Sequence, residues 1–156
     1  MSSIRPRLAP FAAVLALALG LAGCGGGSGG SEPLSKQEYR KQFNAIGKRF
    51  LTQVGSLQTR LSRTKDPGKR AAALDAATAA FSKLADRLDK IEPPKAIAGV
   101  QRTFVGKLRV IASDLGKVKQ ALASKRQNKI QAAALKLQSD GSAAKQAGSR
   151  IDNFVK

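Results

Sequence analysis

The chain has 156 residues, enough for one domain with or without a targeting segment. Lys and Arg number 28 against 10 Asp and Glu, giving a formal net charge of +18, so any partner selected by charge is anionic. With no His, imidazole is lost as base, metal ligand or haem ligand, and a single Cys leaves neither an internal disulfide nor a thiolate zinc cluster.

The first segment reads as an export signal. Arg5 and Arg7 supply a positive start, Leu8 to Leu21 form an apolar run, and the small residues Ala22 and Gly23 follow. Pro10 and Gly20 interrupt the run, which falls short of the roughly twenty apolar residues that a spanning helix needs. Leu21-Ala22-Gly23-Cys24 resembles the lipobox of bacterial prolipoproteins at every position. That resemblance implies a signal peptide over residues 1–23, cleavage before Cys24, a diacylglycerol on the Cys24 sulfur and a lipid-anchored location on the extracytoplasmic face of the membrane. Two acyl chains anchor stably where one holds only marginally. Residues 24–33 then hold Gly25-Gly26-Gly27-Ser28-Gly29-Gly30-Ser31, a composition that cannot pack a core and suits a flexible tether.

The folded domain is expected over residues 34–156. Ser35-Lys36-Gln37-Glu38 has the capping-box form, and Leu34 with Tyr39 has the spacing of a hydrophobic staple. Tyr39, Phe43, Ile46, Phe50, Val54, Leu57 and Leu61 then make a stripe at spacings of three and four, the mark of an amphipathic helix. Asp66-Pro67-Gly68 breaks the pattern and opens a second helix with the stripe Leu74, Ala77, Phe81, Leu84, Leu88 and Ile91, which Pro93-Pro94 stops. Ile97, Val100, Phe104, Leu108, Ile111, Leu115, Val118 and Leu122 make a third stripe. Ser124-Lys125-Arg126-Gln127 offers a second cap of the same kind for a fourth helix, with Ile130, Ala134, Leu137, Gly141, Ala144, Gly148, Ile151 and Val155 as its face. Small residues dominate that face, so its end is expected to fray, and Asp140-Gly141 is a point where the helix either continues or kinks and splits. No β-pattern competes, and the fold expected is an all-α, antiparallel up-and-down four-helix bundle with short turns.

Leu34-Ser35-Lys36 with Tyr39, and Ile91-Glu92-Pro93-Pro94 with Phe104 and Leu108, are similar to a group of small all-helical actinobacterial lipoproteins. Members of that group often carry a Cys in the first helix, where this chain has Ala45-Ile46-Gly47. The resemblance implies fold and location and assigns no activity.

No catalytic constellation emerges from the residues. Glu38 and Asp66 read as helix caps, while Asp86, Asp89 and Glu92 stand beside Arg87, Lys90 and Lys95 as on a solvated face, and no two carboxylates pair convincingly. Bundle di-metal sites need Glu-x-x-His, the glycines form no phosphate loop, and the aromatic residues lie on core stripes, so no enzyme, metal or cofactor is expected.

Charge placement is more informative. Losing Arg5 and Arg7 with the leader lowers the net charge from +18 to +16. In an up-and-down bundle the tether and the Pro93-Pro94 turn share one end, and the first and third turns share the other. Arg60, Arg63, Lys65, Lys69 and Arg70 from one turn join Lys117, Lys119, Lys125, Arg126 and Lys129 from the other, opposed there only by Asp66. Helices of about 28 residues would place this basic tip roughly 40 Å from the tether. Cations favour helix C-termini, which suits Arg60, Arg63, Lys117 and Lys119 but not the rest. The expectation is a non-catalytic envelope binding or scaffolding module whose tip docks an anionic polymer or an acidic protein. Two other readings are a nucleic-acid-binding protein, which export disfavours, and a helical protein lying on acidic lipid.

Overall fold

The computed structural model describes residues 33–156, so the leader, Cys24 and the glycine-rich tether lie outside the described residues. Four long helices account for nearly all of what is described: α1 Lys36–Arg63, α2 Pro67–Asp89, α3 Ala98–Ser124 and α4 Gln127–Val155, with a 3-10 turn at Lys95–Ile97 before α3. No strand occurs among the described residues. The helices form the antiparallel four-helix bundle that the stripes predict.

Local chemistry sets the first two boundaries. The Ser35 hydroxyl accepts from the Glu38 amide at 3.3 Å while the Ser35 amide donates to Glu38 Oε2 at 3.1 Å, a complete capping box. That bonding to Ser35 holds the Glu38 carboxyl below its ordinary range. Asp66 Oδ1 accepts from the Lys69 amide at 2.7 Å, and Pro67, which has no amide hydrogen to leave unpaired, occupies the first position of α2.

The third turn differs from the sequence expectation. Ser124 is the last residue of α3, Lys125 turns the chain with φ 54°, and Arg126 is the residue before α4, with no side-chain cap. The Ser124 hydroxyl donates to the Ala121 carbonyl at 2.7 Å and accepts from the Arg126 amide at 3.3 Å, so it closes α3 instead of opening α4.

The core matches the stripes closely on α2, where Leu74, Ala77, Phe81, Leu84, Leu88 and Ile91 are all buried. On α1, Ile46 and Leu61 are only partly buried, as are Val100 and Leu122 on α3. Helix α3 buries more than one stripe, adding Val105, Ala112, Ala121, Gln101 and Asp114, because it packs extensively against both α2 and α4. Contact between α1 and α4 is slight.

Helix α4 runs unbroken through Gly141 to Val155, with Ile151 fully buried and Val155 nearly so. The helix does not split there, and its end is not frayed. Its thin part is the beginning, where Ile130 and Ala134 are half-buried and Leu135 is 61% exposed.

Two contacts fix which turns share an end. The Leu34 amide donates to the Glu92 carbonyl at 3.1 Å, tying the start of the domain to the turn between α2 and α3. Gln101 Nε2 donates to the carbonyls of Leu88 and Ile91 at 2.7 and 2.9 Å, closing the C-terminus of α2 from within α3.

Candidate basic tip and the groove beside it

The end opposite Leu34 is built from two turns, Thr64–Asp66 between α1 and α2 and Lys125–Arg126 between α3 and α4. Of the ten cations that the sequence places there, Arg60, Arg63, Lys65, Lys69, Lys125, Arg126 and Lys129 are exposed and hold no ion pair among the described residues.

The other three, Lys117, Lys119 and Arg70, have partners within the bundle. Lys117 Nζ stands 2.9 Å from Asp114 Oδ1, and Lys119 Nζ lies 2.6 Å from Asp75 Oδ2 across the α2–α3 interface. Arg70 Nε donates to the Thr64 carbonyl at 2.9 Å and serves the C-terminus of α1. Lys117 and Lys119 also precede the last turn of α3, which contains no basic residue, so the helix dipole does not explain them.

For the exposed cations the local balance is mixed. Arg60 and Arg63 occupy the last turn of α1, where positive charge is favourable. Lys69 and Lys129 lie in first turns, where it is not. Lys125 adopts the left-handed conformation that glycine takes without strain, and Arg126 occupies an N-cap position, with φ −88° and ψ 111°, that favours Ser, Asp or Asn.

Beside the tip the α3–α4 seam carries a charge cluster that sequence reasoning missed. Asp114 is 1% exposed and sits within reach of Lys117 and, at 4.0 Å, Lys136. Lys136 also bonds Asp140 at 2.7 Å, with Lys107 at 3.9 Å on the other oxygen. That Lys136 bond holds the Asp140 carboxyl below its ordinary range against the opposing effect of burial, and Asp140 and then Asp114 hold the Lys136 ammonium above its own. The sequence separates Asp114 from Asp140, and only the helix pairing brings them to one lysine. The one available signal was Asp114 itself, an acid placed between the buried positions Ile111 and Leu115.

Asp86 and Asp89 also have a different partner from their sequence neighbours. Arg109 of α3 reaches both, at 3.5 and 2.8 Å. An open groove of about 390 Å³ adjoins the Asp114 cluster, between the end of α3 and the start of α4. No group of three potential metal ligands occurs among the described residues, and none of their helices is long and apolar enough to cross a membrane.

The chain matches no protein-family model, no curated protein and no solved structure.

Proposed function

We propose that the protein is an exported lipoprotein, anchored through Cys24, whose helical bundle acts without catalysis as an envelope binding or scaffolding module. The lipobox form of Leu21-Ala22-Gly23-Cys24 supports the anchor. In this reading the lipid and tether adjoin the Leu34 end, and the basic tip stands away from the membrane on the extracytoplasmic side.

The observation that carries the binding role is the turn at Lys125 and Arg126. Two adjacent exposed cations occupy backbone positions where glycine and a short polar residue would stabilise the fold more. Together with Arg60, Arg63, Lys65, Lys69 and Lys129 they give one end of the bundle an unneutralised positive surface. Such a surface attracts an acidic polysaccharide, a phosphate-rich wall polymer or an acidic protein, through contacts that salt weakens.

Replacing Lys65, Lys69, Lys125 and Arg126 by Glu in the full-length protein should lower retention on anionic wall material by at least ten-fold and flatten its dependence on salt. Retention equal to that of the unaltered protein, with the same salt slope, would remove the tip from the binding role.

A further inference from the structure

Helix α1 differs from the other three in its charge. It carries seven Lys and Arg against one acid, Glu38, whose carboxylate is taken by the Ser35 amide and hydroxyl at 3.1 and 2.6 Å. Every ion pair among the described residues lies on α2, α3 or α4, and none reaches α1. At about 3.6 residues per turn, Lys41, Lys48, Arg49, Arg60 and Arg63 fall on the half of α1 turned away from its buried stripe, and all but the half-buried Lys41 are exposed. With roughly 1.5 Å of rise per residue this cationic face runs about 33 Å, and at Arg63 it passes into the basic tip. Helix α1 packs mainly on α2, so the described residues leave that face open.

The face offers charge and little else. The aromatic residues of α1, Tyr39, Phe43 and Phe50, are buried in the core, and the one exposed large apolar side chain among the described residues, Leu135, belongs to α4. Thr52, Ser56, Thr59 and Ser62 each donate their hydroxyl hydrogen to a carbonyl of their own helix. A helix lying on lipid needs an apolar face to embed, and a protein interface needs an apolar centre. Nucleic-acid bases need rings to stack on. An acidic polysaccharide adds rings and hydroxyls that meet neither an aromatic face nor a free acid here.

We propose that the outer face of α1 binds a linear phosphate-linked polymer, extended along the helix from the tip toward Lys41. Each phosphate presents several acceptor oxygens to any cation it passes, so binding needs neither a pocket nor a fixed register. This rests on the reading of the tip as a docking surface for an anionic polymer and extends that surface along one helix.

Titration calorimetry of the full-length protein in detergent tests it with long-chain inorganic polyphosphate, tripolyphosphate and polygalacturonate. The long chain should bind about ten-fold more tightly than tripolyphosphate, which is too short to touch the tip and Lys48 together. Lys48→Gln with Arg49→Gln should weaken the long chain about five-fold and lower the slope of log affinity against log salt by about 1.4, at roughly 0.7 per lost contact. Tripolyphosphate should be held as before. Arg102→Gln with Arg150→Gln removes the same charge from α3 and α4, at exposed residues without ion pairs among the described residues, and should leave the long chain unaffected. All four positions are exposed in helices, where Gln is well tolerated. Polygalacturonate at equal charge concentration should bind more weakly than the long polyphosphate.

Equal weakening by the two charge-matched pairs would overturn the proposal, since net charge alone would then explain binding. Undiminished long-chain binding in the α1 pair would also overturn it, as would polygalacturonate bound as tightly as polyphosphate. The variant with Glu at Lys65, Lys69, Lys125 and Arg126 keeps Lys48 and Arg49. Weakened long-chain binding in that variant with none in the α1 pair leaves the tip reading standing and overturns the α1 face; no loss in either overturns both.

Discussion

Asp140 and Asp152 lie on the same helix and are driven in opposite directions by their surroundings. A hydrogen bond from Lys136 holds the Asp140 carboxyl down, so its favourable contribution is present above the ordinary carboxylate range and is lost as pH falls through its own lowered value. Burial instead pushes the Asp152 carboxyl up, with only Lys156 opposing. For a carboxyl raised in this way the fold is favoured when the group is protonated, and the advantage fades as pH climbs from the ordinary value through the raised one. Asp152→Asn should therefore melt at a higher temperature than the unaltered protein at pH 7, with the difference vanishing once pH drops below about 4. A lower melting temperature for the variant at pH 7 would contradict this.

The fully buried Tyr39 stands near Asp152, and burial, followed by that carboxylate, pushes its hydroxyl up so that it stays neutral. Its oxygen has no partner, yet its ring stacks on Phe43 at 5.8 Å, so packing and not hydrogen bonding holds it.

At the scale of the element, the four helices begin in unequal ways. The capping box of α1 and the Asp66-Pro67 start of α2 satisfy amide hydrogens that helix geometry leaves free, whereas α4 begins at Arg126 with no side-chain acceptor and no acid in its first turn. Arg126→Asp should stabilise the domain by about 1 kcal/mol in denaturant unfolding, since an N-cap acceptor and a favourable charge replace an unfavourable one. The same substitution should weaken retention on anionic wall material. Stability and binding moving in opposite directions is the signature of a cation kept for docking; a variant that gained stability and bound equally well would show Arg126 to be incidental.

The beginning of α4 is also its least buried part. Leu135 is 61% exposed, and the groove that holds Asp114 lies along this stretch. Its small residues, Ala132 and Ala133, leave room there that larger side chains would fill.

For the molecule as a whole, direction matters most. The bond from the Leu34 amide to the Glu92 carbonyl places the start of the domain at the end opposite the two basic turns. With 28 residues rising roughly 1.5 Å each, α1 separates the ends by about 40 Å. If Cys24 carries the anchor, the tip faces away from the bilayer. Intact mass of the protein purified from its native membrane should show a chain beginning at Cys24 with diacylglycerol added. A bare thiol or a retained leader would remove the orientation.

Much of this architecture was written in the order of residues. The stripes of α1, α2 and α3, the cap at Ser35, the break at Asp66-Pro67 and the stop at Pro93-Pro94 depend on spacing and on bonds among near neighbours, which a linear reading captures. The collection of cations around the first and third turns follows from the same pattern once the helices alternate in direction. What only the assembled bundle decided involves residues far apart in the chain. Lys119 meets Asp75, Arg109 meets Asp86 and Asp89, and Lys136 gathers Asp114 with Asp140 because helix packing sets those neighbours. The same packing carries α4 through Gly141, where burial against α3 outweighs the weak helix preference of glycine, and encloses the Asp114 carboxylate beside Lys117 and Lys136.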